Sequence, residues 1–334
     1  MTKNFWQKLD KPFYCLAPMS DVTDIAFRHM LAKYGKNREN KDRVVFWTEF
    51  VAADGLADKL GRKKLSHILK YSENERPIVA QVFGANPKNM EIACRYVASL
   101  GFDGIDINMG CPDKSVISQG AGSGLIRTPQ LARKIIVAAH AGIKSAGLHT
   151  PVSVKTRIGF NKEEIDKWIP ELLKEDISAL SIHLRTVKEM SLVPANWNHI
   201  KKIKELIKKG GKEIMLIGNG DITSMKDGEE KTHQYGCDGV MIGRGVFGNP
   251  WFFSGREGKD IPTEEKLNAL IEHTELFEKE LSKPKHKSFA VMKKHFKAYV
   301  NDFKGAKELR VKLTETENAK EVKNVIQKYL FQKE

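Results

Sequence analysis

The sequence alternates between short apolar runs and longer amphipathic stretches up to about residue 255, and this alternation limits the possible folds more than any other feature. Pro87–Leu100, for example, places Met90, Ala93, Cys94 and Val97 at helical spacing. Apolar runs without strict alternation are typical of parallel strands buried on both faces. We predict eight such strands, at Phe13–Ala17, Val44–Thr48, Ile78–Phe83, Gly104–Asn108, Val152–Lys155, Ala179–His183, Ile214–Gly218 and Gly239–Ile242. Eight strands with intervening helices over ~250 residues predict an α/β fold, the (β/α)₈ TIM barrel, with a doubly wound open sheet as the alternative.

The chain changes character after Trp251-Phe252-Phe253. Residues 255–262 are polar and contain glycine and proline, which is typical of a linker. From Thr263 onward, stretches rich in lysine and glutamate carry apolar residues at helical spacing, and breaks are expected at Pro284 and Gly305. We therefore predict two domains, a barrel over residues 1–255 and a small basic α-helical bundle over residues 262–334.

The chain has a formal net charge of +14, and much of it lies at the C-terminal end. From Leu281 to Glu334 there are 14 lysines and arginines against 6 acidic residues, a net charge of +8. This excess favours a polyanionic partner such as nucleic acid, although a protein that is merely basic and soluble would have the same total. No apolar run approaches the roughly 20 residues of a membrane helix, and the N-terminus lacks the apolar core of a signal peptide. We therefore expect a cytoplasmic monomer that does not contact membranes.

The four cysteines, Cys15, Cys94, Cys111 and Cys237, indicate neither a zinc site nor a disulfide framework, because none of them forms a CxxC pair. Three of them are expected to be small buried residues. Cys111 differs because it lies in a loop between a predicted strand and the glycine-rich segment Gln119–Gly124. A thiol on such a loop could donate a proton at neutral pH, or act as a nucleophile if a base stood beside it. The residues alone leave both roles open.

Polar, titratable or glycine residues stand at seven of the eight predicted strands. Because the active site of a TIM barrel is built at the C-terminal ends of its strands, these residues would face a single site. They are Pro18, Met19 and Ser20 after the first strand, Gln81 in the third, Asn108 and Cys111 at the fourth, Lys155 and Arg157 at the fifth, His183 and Arg185 at the sixth, Asn219, Gly220 and Asp221 at the seventh, and Gly243 and Arg244 at the eighth. The seventh and eighth ends favour phosphate, since glycine lets backbone amides approach an anion and Arg244 adds a cation.

Three of these features have a second interpretation. Gly243–Gly248 matches the G-x-G-x-x-G pattern of dinucleotide-binding folds, but it follows the last strand and opens no βαβ unit, so a tight turn or a phosphate loop is favoured. Lys155 follows an apolar run, where lysine rarely lies unpaired; it would stand beside an anionic group such as a reduced flavin, or form a salt bridge across the barrel mouth. His183 would contact a cofactor or be a structural histidine of the rim.

At these residues the sequence resembles the tRNA-dihydrouridine synthases, a family of FMN-dependent enzymes, and the resemblance covers nearly the whole chain. The block from Asp103 to Pro112, DGIDINMGCP, is similar to the family signature. Ala17-Pro18-Met19 with Thr23-Asp24 is similar to the family's flavin-binding opening. The segment from His295 to Tyr299, followed by Gly305 to Arg310, is similar to its helical tRNA-binding domain.

The resemblance implies roles for single residues. Cys111 would be the proton donor. The flavin would be contacted by Pro18, Met19, Ser20 and Gln81, its ring and phosphate region held by Lys155 and His183, and its ribityl and phosphate groups bound by Asn219, Gly220, Asp221, Gly243 and Arg244. NADPH would reduce FMN, and hydride would then pass to C6 of a uridine in tRNA while Cys111 protonates C5. The base would leave its stack to reach the site, and the basic bundle would hold the tRNA backbone.

Two other functions fit parts of the sequence. An FMN barrel acting on a free pyrimidine, in the manner of a dihydroorotate dehydrogenase, would share the fold, the flavin and a catalytic cysteine on a loop. It would not explain a basic C-terminal bundle. A non-catalytic RNA-binding barrel is the other alternative, and it predicts no bound flavin.

Overall fold

The computed structural model of the chain describes residues 4–332. Its first part is a closed barrel of parallel strands in which each strand pairs with the next and the last pairs with the first. The strands are β1 (Phe13–Leu16), β2 (Val44–Ala52), β3 (Ile78–Phe83), β4 (Gly104–Met109), β5 (Val152–Arg157), β6 (Ala179–His183), β7 (Met215–Asn219) and β8 (Gly239–Ile242). The prediction of a TIM barrel is confirmed, and the open-sheet alternative is wrong.

Helices between the strands form the outer layer of the barrel. They are α1 (Ile25–Gly35), α2 (Ala53–Ala57), α3 (Lys59–Leu65), α4 (Pro87–Ser99), α5 (Lys114–Ser118), α6 (Pro129–Ser145), α7 (Ile165–Leu173), α8 (His199–Lys209) and α9 (Met225–Tyr235). Helix α4 shows why they begin where they do. The side chain of Asn86 accepts hydrogen bonds from the amides of Lys88 and Asn89, and Pro87 occupies the first turn, where no amide donor is needed. Its buried face carries the apolar residues whose spacing predicted it.

The end of the barrel opposite the strand C-termini is closed by Trp6. A short helical turn, Phe5–Lys8, begins at Asn4, whose side chain accepts a hydrogen bond from the amide of Gln7. Trp6 is 1% exposed, and its ring centroid lies 5.7 Å from that of Trp47 and 6.0 Å from that of Phe13. Burying large aromatic rings at this end leaves the opposite end of the barrel for a binding site.

Two strands extend at least two residues past their predicted ends. β2 continues past Thr48 to Ala52 through Glu49, a carboxylate that is only 4% exposed. β5 continues past Lys155 to Arg157, so Lys155 lies inside the strand rather than at its end. In both places the strand continues through a charged residue. Lys287 compensates the charge of Glu49, and Lys155 lies at the open mouth of the barrel.

The C-terminal part consists of α10 (Thr263–Phe277), α11 (Lys293–Tyr299), α12 (Ala306–Thr314) and α13 (Ala319–Phe331). The expected breaks are confirmed: α10 runs through a wider helical turn ending at Ser282, just before Pro284, and Gly305 stands in the left-handed region before α12. These helices share an apolar cluster with Ala26 and Met30 of α1, so the helical part packs directly on the barrel. The boundaries at 255 and 262 stay a prediction.

None of the helices formed by residues 4–332 combines the length and the apolar character needed to cross a membrane.

Candidate active site

The predicted site residues meet at the C-terminal ends of the strands, where Cys111 lies in a loop fixed by Asn108. The side-chain oxygen of Asn108 accepts hydrogen bonds from the amides of Gly110, at 3.1 Å, and Cys111, at 2.9 Å. Its side-chain nitrogen donates to Oε1 of Gln81 at 2.9 Å. Asn108, which sequence analysis did not assign a role, therefore positions the backbone that carries the thiol.

Below the mouth, Gln81 belongs to a polar layer inside the barrel. It is fully buried, and its Nε2 donates to Asp106 at 2.6 Å. Ser153 donates to the other oxygen of Asp106, also at 2.6 Å. Burial raises the pKa of Asp106 to about 6, although the hydrogen bonds from Gln81 and Ser153 oppose the shift. Gln81 thus supports the Cys111 loop through Asn108, and its contact with a flavin stays a prediction.

Lys155 stands at the barrel mouth without a carboxylate partner. Its ammonium donates to Oδ1 of Asn219 at 3.3 Å, and Nδ2 of Asn219 donates to the carbonyl of Met241 at 2.8 Å. Within residues 4–332 Lys155 forms no ion pair, so the alternative of a salt bridge across the mouth is wrong. Burial, with the nearby cation of Arg157, lowers the pKa of Lys155 to about 8. An uncompensated cation at this level can hold an anionic ligand group.

Arg157 joins the Cys111 loop to the loop after β6, and sequence analysis gave it no role of its own. Its Nε donates to the carbonyl of Gly110 at 2.9 Å, and its guanidinium also donates to the carbonyls of Thr186 and Met190. Burial lowers its pKa to about 10. The signal available in the sequence was an arginine three positions beyond the apolar run that ends at Val154, where its donors must find buried acceptors.

His183 lies at the end of β6 beside this guanidinium. Its Nδ1 is 3.1 Å from NH1 of Arg157. Arginine offers only donors, so Nδ1 accepts and the neutral ring carries its proton on Nε2. Burial first, and then the charges of Arg157 and Lys155, lower the pKa of His183 far below its ordinary value. His183 is therefore a structural neighbour of Arg157 that leaves one N–H donor for a ligand.

The ends of β7 and β8 form a compact loop pair. Asp221, with a positive φ of 53°, pairs with Arg185 and with Arg244, the latter at 2.9 Å. Partial burial would raise the pKa of Asp221, but the hydrogen bonds from Arg185 and from the amide of Ala195 lower it overall. Gly220 has φ 140°, and a Cβ there would lie 2.6 Å from Cβ of Ala195. The backbone therefore requires glycine at this point, as expected of a loop that approaches a ligand closely.

The end of β1 completes the mouth on the side of β8. Pro18 and Met19 are half-buried and Ser20 is exposed. The amide of Met19 donates to the hydroxyl oxygen of Thr23 at 2.9 Å, which fixes the turn. A Cβ at Gly243 would lie 3.6 Å from the sulfur of Met19, so these two loops are in contact.

The Cys111 thiol is half-buried, whereas Cys15, Cys94 and Cys237 are buried as predicted. Burial raises the pKa of Cys111, while the charges of Lys155 and Arg157 oppose the shift. The thiol is therefore protonated at neutral pH; the charges of Lys155 and Arg157 favour a thiolate, while the carboxylate of Asp113 disfavours it. Residues 4–332 contain no group of histidine, cysteine or acidic residues arranged to hold a metal ion.

The mouth is bordered on its β1–β2 side by the helical part. Lys287 lies between α10 and α11, and its ammonium is 2.6 Å from Glu49 of β2 and 3.0 Å from Asp21. Sequence analysis missed this contact, because it joins residues that are 238 positions apart. We call the group of Lys287, Glu49 and Asp21 the interdomain ion cluster.

Comparison with known proteins gives a consistent result for the whole chain. A sequence model of the family described as dihydrouridine synthase (Dus) matches residues 15–334. A probable tRNA-dihydrouridine synthase 2 of Bacillus subtilis (strain 168) is 42% identical over 327 residues, which are 98% of this chain and 96% of the relative. A probable tRNA-dihydrouridine synthase of Staphylococcus aureus (strain COL) is 41% identical over 330 residues, with the same coverage of 98% and 96%.

Solved structures share the fold at low sequence identity. A complex of 2-naphthoyl-CoA reductase with 2-naphthoyl-CoA has a TM-score of 0.53 and 11% identity, covering 72% of this chain and 49% of that one. Histamine dehydrogenase from Rhizobium sp. 4-9 has a TM-score of 0.52 and 14% identity, covering 82% and 51%. This chain matches only about half the length of these two proteins, 49% and 51%, and the likeness concerns the barrel fold alone.

Proposed function

This chain belongs to the dihydrouridine synthase family, and from that membership we propose that it reduces the C5–C6 double bond of uridines in tRNA to 5,6-dihydrouridine, using FMN that is reduced by NADPH. The observation that carries the proposal is the coincidence of two results. The family match spans residues 15–334, and the cysteine of the signature block lies at the barrel mouth directly after β4, in a loop held by Asn108.

The residues at the mouth fit a flavin mononucleotide. Lys155, with no carboxylate partner within residues 4–332, suits the electron-rich edge of a reduced ring, and Nε2–H of His183 adds a donor. Gly220 and Gly243 leave the backbone open beside Arg244, which is what a phosphate group needs. Pro18, Met19 and Ser20 would contact the flavin from the β1 side, and Asn219 and Asp221 from the β7 side.

When bound, the reduced flavin supplies the hydride that adds to C6 of the uracil ring. Cys111 would deliver the proton to C5. The raised pKa of its thiol keeps Cys111 protonated at neutral pH, so the proton is available for transfer to C5, as a general acid requires. The charges of Lys155 and Arg157 would stabilise the thiolate that remains, and water would return the proton. Asn108 and Arg157 would hold the loop in register from opposite sides.

The substrate would be a nucleotide turned out of its stack, because a uracil ring inside a helix cannot reach the bottom of this mouth. The helical part beside the mouth carries the excess of lysine, and it would contact the phosphate backbone. Such contacts would make tRNA affinity depend strongly on salt concentration.

The test is direct reduction by the purified protein. The FMN-loaded protein is incubated with NADPH and unmodified tRNA, and dihydrouridine is measured by mass spectrometry. Free uracil and free orotate serve as parallel substrates. Dihydrouridine in tRNA alone supports the proposal. Reduction of the free pyrimidines with no product in tRNA would replace it with a free-pyrimidine enzyme, and a protein purified without flavin that cannot be loaded with FMN would rule out both.

A further inference from the structure

Besides the barrel mouth, a polar cavity lies between the barrel and the C-terminal helices, away from the residues of the candidate active site. Its walls come from the loop before α9, the segment after β8 and the helices α10 and α11. None of the residues predicted to bind the flavin lines it, although Ser224 and Gly245 follow the β7 and β8 loops closely in sequence. We call this space the interdomain cavity.

Lys266 of α10 lines the interdomain cavity and is 8% exposed. Its ammonium forms no ion pair and no hydrogen bond with any residue between 4 and 332, and only its backbone amide is bonded, to the carbonyl of Pro262 at 3.0 Å. Two buried cations elsewhere are compensated by carboxylates: Arg28 pairs with Glu75, and Lys287 pairs with Glu49. Lysine is almost never buried without a partner, yet the ammonium of Lys266 has none in the part of the chain that the structure describes and stays accessible from the cavity, where a ligand can reach it. Lys266 can therefore bind a negatively charged group that residues 4–332 do not supply.

The other charges around the cavity do not fill that role. Arg256 and Lys259 also line it, but each is already paired, Arg256 with Glu265 and Lys259 with Glu257. Asp302 lines the cavity as well, yet it forms no ion pair with Lys266. On the wall next to α9, the hydroxyl of Ser224 accepts from the amide of Asp227 and keeps its own proton for a ligand, whereas the amide and hydroxyl of Thr223 already donate to Asp227.

We propose that the interdomain cavity is a binding site for a phosphate group and that Lys266 is its buried cation. A lysine ammonium is a compact point charge that commonly binds phosphate, and a phosphate would supply the compensation that Lys266 lacks. If the proposed function holds, the phosphate has two possible sources, a phosphodiester of the tRNA backbone or a phosphate of the dinucleotide reductant. Both present the same chemistry to the site.

In the first experiment, calorimetric titration measures the affinity of the FMN-loaded full-length protein for inorganic phosphate. The variant is Lys266→Met, the conservative variant is Lys266→Arg, and the matched control is Asp302→Asn. Loss of a charged contact should weaken phosphate binding by about 10-fold or more in Lys266→Met, while Lys266→Arg retains most of it. Asp302→Asn should bind phosphate as well as or better than the unaltered protein, because it removes a like charge.

Two results would overturn the site. One is unchanged phosphate affinity in Lys266→Met. The other is an equal loss in Asp302→Asn, which would mean that Lys266 and Asp302 compensate each other structurally. Folding is followed by thermal unfolding, and Lys266→Met should be about as stable as the unaltered protein without phosphate, since Lys266 forms no ion pair within residues 4–332. A large loss of stability would also contradict the proposal.

A second experiment separates the sources, and it does not depend on turnover of uridine. If the tRNA backbone is the ligand, Lys266→Met lowers the slope of log affinity against log salt concentration by about 1. If the reductant is the ligand, tRNA affinity is unchanged and KM for NADPH in flavin reduction without tRNA rises. If neither changes while phosphate binding depends on Lys266, the site takes free phosphate. Failure of the protein to form dihydrouridine would reject the proposed function and leave the phosphate titration intact.

Discussion

Two lysines stand at the barrel mouth in opposite electrostatic settings. On the β5–β7 side, Lys155 has an amide oxygen as its partner and no carboxylate, and burial lowers its pKa to about 8. On the β1–β2 side, burial alone would lower the pKa of Lys287, but Glu49 and Asp24 raise it overall. The same residue type is thus left uncompensated where a ligand is expected and compensated where two parts of the chain are joined.

The difference indicates how to distinguish a binding cation from a structural one. A structural cation brings its counterions with it, and it loses its role when either partner is removed. Burial lowers the pKa of a binding cation, and the ligand then supplies its counterion. We therefore expect substitutions on the β5–β7 side to change rates and pH profiles, and substitutions in the interdomain ion cluster to change the free energy of unfolding.

The largest effect is expected for Cys111→Ala. Removing a general acid should slow uridine reduction by about 10² to 10⁴-fold, because hydride addition would leave a negative charge without a proton donor. Flavin binding should be retained. The measurement is single-turnover reduction of tRNA by protein whose flavin has been reduced beforehand. Cys237→Ala, which alters a buried cysteine far from the mouth, is the matched control; a normal rate in Cys111→Ala would reject the acid.

The next effect concerns the pH dependence that Lys155 imposes. Its lowered pKa means that Lys155 loses its positive charge as pH rises through about 8, so the rate of uridine reduction should fall by about 10-fold for each pH unit above that value. Lys155→Met should be slow at every pH and lack this alkaline limb. Rates are measured across pH at saturating tRNA.

Lys287→Met provides the comparison for this profile. It should leave the alkaline limb where it is in the unaltered protein. A shift of the limb in Lys287→Met, or its persistence in Lys155→Met, would show that the two sides of the mouth are not electrostatically distinct.

A smaller and purely structural effect is expected for Lys287→Met. The side chains of Lys287 and Glu49 are 9% and 5% exposed, so the substitution leaves a buried carboxylate without its partner. We expect the free energy of unfolding to fall by about 3 kcal/mol, measured by urea denaturation. Lys279→Met, at a lysine that is 76% exposed, is the control and should change stability by less than about 0.5 kcal/mol. Equal losses of unfolding free energy in Lys287→Met and Lys279→Met would mean that the buried contact with Glu49 does not stabilise the fold.

Glu49 shows why some of this arrangement could be predicted from the sequence and some could not. The strands were predictable because buried parallel strands are continuous apolar runs, and such runs are local. The prediction ended β2 at Thr48 because a glutamate follows, yet the strand continues to Ala52. The reason is Lys287, which compensates Glu49 from 238 positions further along the chain.

The candidate site divides in the same way. The gathering of polar residues at the strand ends follows from the barrel, so the sequence could predict that Cys111, Lys155 and His183 meet. What it could not predict is the pairing within the site. The hydrogen bond from Arg157 to His183, and the lack of an ion pair at Lys155 within residues 4–332, depend on side-chain geometry in three dimensions.

The smallest effect tests the interdomain ion cluster itself, by comparing Asp21→Asn with Glu49→Gln. Asp21 is 56% exposed and Glu49 is 5% exposed, although both contact Lys287. Partial burial would raise the pKa of Asp21, but Lys287 lowers it overall; its contribution is therefore present at neutral pH and lost as pH falls below about 4. Solvent screening should limit the loss of unfolding free energy in Asp21→Asn to less than about 1 kcal/mol, and asparagine tolerates the positive φ of 56° at this position.

Glu49→Gln should lower the free energy of unfolding by about 2 kcal/mol, since a buried ammonium loses its nearest charge and the amide of Asp21 loses a charged acceptor at 2.6 Å. Urea denaturation at pH 7 and at about pH 3 measures both; if Asp21→Asn proves as costly as Glu49→Gln, exposure does not decide which carboxylate holds the helical part on the barrel.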